Sequence, residues 1–224
     1  MLLCVIWLCW GVTAVCAAVD WIAVAQEKRH VEIWAKPATL AALFATAFVL
    51  GAPDTTAGVL LLVALAFGLL GDVMLLGSSA ARFQAGLAAF LVGHLAYVVS
   101  FLFLRFDEPL WAFIGVAVVA VALVTSREVL PSVHRTDGAA LTVPVAVYMI
   151  VISVMAVVAW ATGTWLLGLG ATVFLASDTI LAVDRFVKPR PWGRVAVMVT
   201  YHVGQVLIVI GFFQTSPYAV TAGG

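Results

Sequence analysis

Long apolar runs separated by short polar breaks extend over almost the whole chain. Each run has roughly the 20 mostly apolar residues that a helix needs to cross a membrane. The breaks contain the Gly, Pro, Asp and Ser residues that favour turns. We therefore predict an all-α, polytopic membrane protein that forms a single domain of eight transmembrane helices, with approximate bounds 2–25, 33–51, 56–76, 82–104, 109–130, 139–161, 164–183 and 194–214.

The composition supports a protein that lies within the bilayer. Of the 224 residues, 65% are hydrophobic and 10% are charged, unlike an ordinary soluble domain. The formal net charge is zero and the chain has no basic tail, which argues against a nucleic-acid partner. The three cysteines, Cys4, Cys9 and Cys16, all lie in the first apolar run, where they act as apolar side chains. We predict no disulfide, no metal and no other cofactor.

The basic residues are distributed unevenly among the predicted loops. Ten of the 11 Lys and Arg residues lie in or beside the loops after predicted helices 1, 3, 5 and 7, and Arg105 is the exception. Loops rich in Lys and Arg tend to remain in the cytoplasm. This distribution predicts that these four loops are cytoplasmic and that both termini are non-cytoplasmic.

Two aspartates interrupt strongly apolar stretches, Asp72 in GLLGDVMLL and Asp178 in FLASDTILA. In the predicted orientation, both lie about one to two turns from the cytoplasmic boundary of their helices. They are separated by about half the chain, and His94 and His202 follow them at similar intervals, each in the next helix. This spacing predicts an internal repeat of four plus four helices in parallel orientation.

A carboxyl group in an apolar helix is costly. The cost is about 2.5 to 3.5 kcal/mol at the centre of the membrane and less near the interface. One aspartate at this depth is also explained by contact with head groups or with a basic loop residue. Two aspartates at matching positions favour a function, and we predict that Asp72 and Asp178 are catalytic residues.

Further polar side chains share helical faces with apolar ones. Phe83, Gly86, Phe90, His94 and Tyr97 follow each other at helical spacing and form one stripe of predicted helix 4. A His or Gln in such a place also occurs as a packing residue that bridges helices. Taken together, the polar positions predict a pocket that opens towards the cytoplasmic leaflet and suits an amphiphile. The residues predicted to bind the substrate are Lys36, His94, Tyr97, Tyr148, Ser177, Arg185, Tyr201, His202 and Gln205.

The same residues lie in six short motifs that resemble those of a known family. The motifs are KP at 36–37, GDxxL at 71–75, FxxGLxxFLxGHxxY at 83–97, YxxxxxxM at 148–155, SDxxLAxxRF at 177–186 and YHxGQxLI at 201–208. Together they resemble the YhhN family, the lysoplasmalogenases, from predicted helix 2 to predicted helix 8. The resemblance implies an eight-helix membrane hydrolase in a bacterial inner membrane. Its substrate would be a lysoplasmalogen, whose vinyl ether bond is cleaved to a fatty aldehyde and glycerophosphoethanolamine or glycerophosphocholine.

The chemistry of a vinyl ether accounts for two carboxyl groups independently of the family. Hydrolysis begins with protonation of the β carbon and gives an oxocarbenium ion that water captures. One carboxylic acid donates the proton, and one carboxylate stabilises the cation, as in glycosidases. We predict Asp178 as the acid because Ser177 beside it offers a hydrogen bond. Lys36 and Arg185 are expected to hold the phosphate, although Lys36 is also explained as a membrane anchor.

Two alternatives use the same polar residues. A metal-dependent lipid hydrolase would bind zinc through Asp72, His94, Asp178 and His202 and would act on ester or amide lipids. A proton-coupled transporter of lipids or small molecules would use the acids to relay protons, and it would need them nearer the centre of the membrane. The oligomeric state is left open.

Overall fold

The computed structural model describes residues 2–215, and this range contains helices but no strand. The predicted all-α fold is confirmed. Short 3-10 helices at Ala52–Asp54 and Pro109–Trp111 precede the third and fifth α-helices. The α-helices of this range are α1 (Leu2–Ala25), α2 (Arg29–Val49), α3 (Thr56–Leu75), α4 (Ala80–Leu102), α5 (Ala112–Thr125), α6 (Val129–Asp137), α7 (Ala139–Ala161), α8 (Trp165–Phe186) and α9 (Gly193–Gln214).

Within the described residues, six helices are long and apolar enough to cross a membrane, namely α1, α3, α4, α7, α8 and α9. The segment Pro109–Thr125 and α6 satisfy the same test only as a pair, which is bent by 46°. Helix α2 has 21 residues but carries Arg29, Glu32 and Lys36 near its start, which lowers its hydropathy. The protein is an integral membrane protein with a polytopic helical fold.

The fifth helix is shorter than predicted, and the loop expected after it contains α6. Helix α5 ends at Thr125, and α6 has nine residues. Val129 and Val133 lie one turn apart in α6 and are completely buried, since α6 packs on α7 and α8. Pro131 lies in the first turn of α6, where its missing N–H group is not needed for a helical hydrogen bond. Tertiary burial therefore makes a helix of a polar, Pro-containing segment.

The chain forms two compact units, one up to Phe103 and the other from Leu104 onward. In the first unit, α1 packs on α2, α2 on α3, and α3 on α4. Helices α3 and α4 approach closely at Gly93, where a Cβ atom would lie 3.1 Å from Ala64 O. Ser100 Oγ of α4 donates a buried hydrogen bond of 2.7 Å to Ala57 O of α3. Helix α3 is thereby held between α2 and α4.

The second unit has a similar order of contacts. Helix α5 packs on α7, α7 on α8, and α8 on α9. Helices α8 and α9 approach so closely at Gly170 that a Cβ atom would lie 2.6 Å from Ile208 N. The short helix α6 is tied to the end of α8, since Ser132 Oγ donates to Phe186 O at 2.5 Å. Helix α8 is therefore held between α7 and α9.

Candidate functional site

The first unit contains a buried ion pair between α2 and α3. Lys36 Nζ lies 3.2 Å from Asp72 Oδ1, and the exposed fractions of the two side chains are 6% and 0%. Burial of Lys36 favours a role inside the unit over a role as an anchor at the membrane surface. Pro37 follows it within α2 and has no N–H group to donate to the carbonyl of Ile33. A lysine and an aspartate from two helices thus form a charged centre inside an apolar unit.

The C-terminal end of α3, about one turn beyond Asp72, is bound by two arginines. Arg29 of α2 donates to Leu76 O, and Arg82 of α4 donates through Nη2 to Val73 O at 2.7 Å. The last carbonyl groups of a helix have no partner within the helix, and they carry partial negative charge. Both arginines therefore satisfy backbone groups and hold the end of α3 that carries Asp72.

The predicted stripe of α4 is buried, as expected for an interior face. Gly86, Phe90, His94 and Tyr97 are all buried, and Phe83 is partly buried. His94 Nδ1 lies 2.7 Å from Phe90 O; because a carbonyl oxygen only accepts, we assign the proton to Nδ1. This assignment makes Nε2 the basic nitrogen of the neutral ring.

Two more buried carboxyl groups of the first unit lie outside the predicted set of site residues. Asp20 of α1 is 0% exposed, and Glu32 of α2 is 8% exposed. Glu32 lies one turn before Lys36 and forms an ion pair of 3.0 Å with Arg29. Asp72 is identified in the sequence because it is an ionisable side chain within an apolar helix. The same criterion identifies Asp20.

The second unit contains a neutral donor beside its aspartate. Tyr148 of α7 donates through its hydroxyl group to Asp178 Oδ2 of α8 at 2.5 Å. Ser177 is fully buried, and its hydroxyl group donates to Val197 O of α9 at 3.0 Å. This bond takes the place of the one to Asp178 that the sequence suggested. Tyr148 therefore supplies a hydroxyl group beside the aspartate.

The polar residues predicted for the site on α9 are buried, and one of them contacts the helix that carries Asp178. Tyr201, His202 and Gln205 are each at most 3% exposed. The ring of Tyr201 packs edge-on against Phe174 of α8, with 5.3 Å between ring centroids. Phe174 lies one turn before Asp178, so Tyr201 is close to the polar centre of this unit.

Arg185 lies about two turns beyond Asp178, at the end of α8. Its side chain is exposed, and its guanidinium carbon lies 5.7 Å from the centroid of the Phe186 ring. It also interacts electrostatically with Asp137 of α6. Arg185 is therefore an exposed cation at the end of α8.

Each unit thus brings two of the predicted site residues together, Lys36 with Asp72 and Tyr148 with Asp178. The two aspartates belong to different units, and their pairing stays a prediction. Among residues 2–215, no group of three or more His, Cys, Asp or Glu side chains is arranged to hold a metal ion. Each centre contains a carboxyl group with a partner, which is an ammonium group in the first unit and a hydroxyl group in the second. Carboxyl groups in such surroundings can donate and accept protons.

These features define the class of protein. It is a helical integral membrane protein with two units, and in each unit an aspartate has a partner on the long helix that precedes its own. Residues 31–212 match the model of the YhhN family. The chain belongs to the YhhN family. The match begins after α1 and includes every residue predicted for the site.

Three named relatives are similar to this chain, with identities of 28 to 32% over the aligned residues. Lysoplasmalogenase TMEM86A of Bos taurus is 28% identical over 178 residues, which cover 75% of this chain and 70% of that protein. Lysoplasmalogenase TMEM86B of Homo sapiens is 32% identical over 152 residues, 68% of this chain and 62% of that protein. A lysoplasmalogenase of Mycobacterium bovis is 31% identical over 135 residues, 58% of this chain and 51% of that protein. No solved structure matches the chain significantly.

Proposed function

We propose that this protein is a membrane-embedded hydrolase of the lysoplasmalogenase type, which cleaves the vinyl ether bond of a lysophospholipid. Its membership of the YhhN family and the names of its relatives support the substrate class. The observation that carries the mechanism is that each unit contains an aspartate beside a donor group, Asp72 with Lys36 and Asp178 with Tyr148. We assign proton donation to Asp178 and the ionised carboxylate to Asp72.

The proposed reaction returns both aspartates to their starting states. Asp178 donates a proton to the β carbon, and the π electrons form the new C–H bond and leave an oxocarbenium ion. The carboxylate of Asp72 stabilises this cation and takes a proton from the water molecule that adds to it. When the hemiacetal collapses, Asp72 gives that proton to the leaving glycerol oxygen. The hemiacetal hydroxyl proton returns to Asp178, and the aldehyde is released.

The proposed topology has eight spans, with both termini outside and the basic loops in the cytoplasm. Six helices are long and apolar enough to be spans, and the bent pair is a further candidate. The proposal assigns the eighth span to α2, which has 21 residues. Trp165 is the first residue of α8, and Trp192 directly precedes α9. Both side chains are more than half exposed. Tryptophan concentrates at both interfaces of a membrane, which supports this placement of the helix ends. The order of helix contacts in the two units supports the repeat of four plus four helices.

Release of fatty aldehyde from a 1-alkenyl lysophosphatidylethanolamine by detergent-purified protein tests the proposed function. We expect the wild type to release aldehyde and to leave a 1-acyl lysophospholipid intact. We expect Asp72→Asn and Asp178→Asn each to lower kcat about 100-fold or more, because each removes one group that transfers protons.

A matched control is Asp107→Asn, which removes an exposed carboxylate paired only at the surface with Arg105. This variant should retain wild-type activity. Absence of aldehyde from folded wild-type protein would refute the proposed function. Substantial activity in either folded aspartate variant would refute the proposed chemistry, even if the wild type is active.

A further inference from the structure

In both units, the helix before the aspartate helix supplies a partner of that aspartate. Lys36 of α2 reaches Asp72 of α3, and Tyr148 of α7 reaches Asp178 of α8. The layout is similar, but the partners differ in chemistry. Lysine brings a positive charge, whereas the phenol brings a neutral hydrogen-bond donor.

A charged partner favours the ionised state of Asp72. Both side chains of the Lys36 pair are buried, and burying an unpaired charge in an apolar environment is strongly unfavourable. An ammonium group 3.2 Å from a carboxylate favours the ionised carboxylate and is itself favoured by it. The pair as a whole is neutral. Asp72 is therefore held as a carboxylate, which can accept a proton from water, and it is poorly suited to begin the reaction as an acid.

The hydrogen bond from Tyr148, a neutral donor, suits Asp178 to the donation of a proton. A protonated Asp178 with its proton on Oδ1 accepts the Tyr148 hydrogen bond at Oδ2 before and after proton transfer. Hydrogen bonds to ionised acceptors are stronger than those to neutral ones, so this bond strengthens as Asp178 loses its proton. An interaction that grows towards the transition state increases the rate.

We propose that Lys36 is the positioning residue that keeps Asp72 ionised in the resting protein, so that Asp178 is the aspartate that carries the proton. This inference rests on the proposed function. It differs from the expectation that Lys36 holds the phosphate of the substrate, because the ammonium group is already engaged by Asp72 inside the unit.

The two roles of Lys36 predict different kinetics for Lys36→Met on two vinyl ethers. One substrate is the 1-alkenyl lysophosphatidylethanolamine, and the other is a 1-alkenylglycerol, which has no phosphate. Loss of a counter-ion should lower kcat at least tenfold on both substrates and leave both KM values within about threefold of wild type. Lys36→Arg keeps the positive charge. Its kcat on both substrates should recover at least half of the loss that Lys36→Met causes.

Lys28→Met is the matched control, because Lys28 is exposed at the start of α2 and its side chain makes no capping hydrogen bond. It should leave kcat and KM unchanged. A Lys36→Met protein that raises KM only for the phosphate-bearing substrate and has normal kinetics on the alkenylglycerol would overturn the proposal in favour of phosphate binding.

Thermal unfolding in detergent provides a second readout that needs no substrate. We expect the double variant Lys36→Met with Asp72→Asn to unfold at a higher temperature than the sum of the two single shifts predicts. Additive shifts would overturn the ion pair. A wild type that is inactive on both vinyl ethers would refute the proposed function and the positioning role of Lys36 with it, whereas coupled unfolding temperatures would still establish the pair.

Discussion

Replacing Tyr148 by Phe removes one hydroxyl group from α7 and leaves the ring in place. That hydroxyl group donates to Asp178 Oδ2 at 2.5 Å. If Asp178 is the proton donor, the acceptor is neutral in the ground state and becomes negatively charged in the transition state. The variant should therefore lose more stabilisation in the transition state than in the ground state.

The expected loss follows from the strengths of the two hydrogen bonds. A hydrogen bond to a neutral group contributes about 0.5 to 1.5 kcal/mol, and one to a charged group about 1.5 to 3 kcal/mol. The difference is about 1 to 1.5 kcal/mol, and each 1.36 kcal/mol corresponds to tenfold in rate. We expect Tyr148→Phe to lower kcat about five- to fifteen-fold, with little change in KM.

Initial rates of aldehyde release, together with unfolding temperatures in the same detergent, measure this effect. Ser153→Ala is the matched control, because Ser153 also lies on α7 and its hydroxyl group donates only to Met149 O, at 2.6 Å. Its kcat should equal that of the wild type. An unchanged or increased kcat in folded Tyr148→Phe would refute the assignment of Asp178 as the acid, since a carboxylate that starts ionised loses its stabilisation in the ground state.

Two further predictions concern the packing that holds the aspartate helices, and both are measured as unfolding temperatures in detergent. Gly170→Ala should destabilise the protein by about 1 to 3 kcal/mol, because the new Cβ atom would lie 2.6 Å from Ile208 N. Gly11→Ala, where a Cβ atom meets nothing within 4 Å, should unfold like the wild type, and equal temperatures for the two variants would contradict the close approach. Ser100→Ala should cost about 1 kcal/mol, because it removes the buried hydrogen bond to Ala57 O. A wild-type unfolding temperature in that variant would show that the bond contributes no stability.

Much of the helical architecture is predictable from hydrophobicity alone. Apolar runs of the length of a membrane helix predict α1, α3 and α7 to α9 closely, because a helix satisfies its backbone hydrogen bonds within its own segment. The stripe of α4 that carries His94 and Tyr97 is predictable for the same reason, since helical periodicity identifies the interior face. Helix α6 is not predictable in this way, because burial of Val129 and Val133 against other helices stabilises it.

For the candidate site too, some features are predictable from the sequence and others depend on how the helices pack. That Asp72 is a candidate follows from its position in an apolar run and from the matching position of Asp178, because a carboxyl group in such a run is costly. That its partner is Lys36 does not follow, since periodicity identifies the face of a helix but not the helix that packs on it. Ser177 shows the same limit, because its sequence neighbour is Asp178 while its hydrogen-bond acceptor is Val197 O of the next helix.

The sequence by itself determines that this is a helical membrane protein of the YhhN family with an aspartate in each half, since composition, hydrophobic runs and motifs are properties of the chain. Only the tertiary structure decides that one aspartate has an ammonium group beside it and the other a phenol. The physical reason is that helix formation depends on neighbouring residues, whereas these partners lie 36 and 30 residues apart in the chain and meet only when the helices pack.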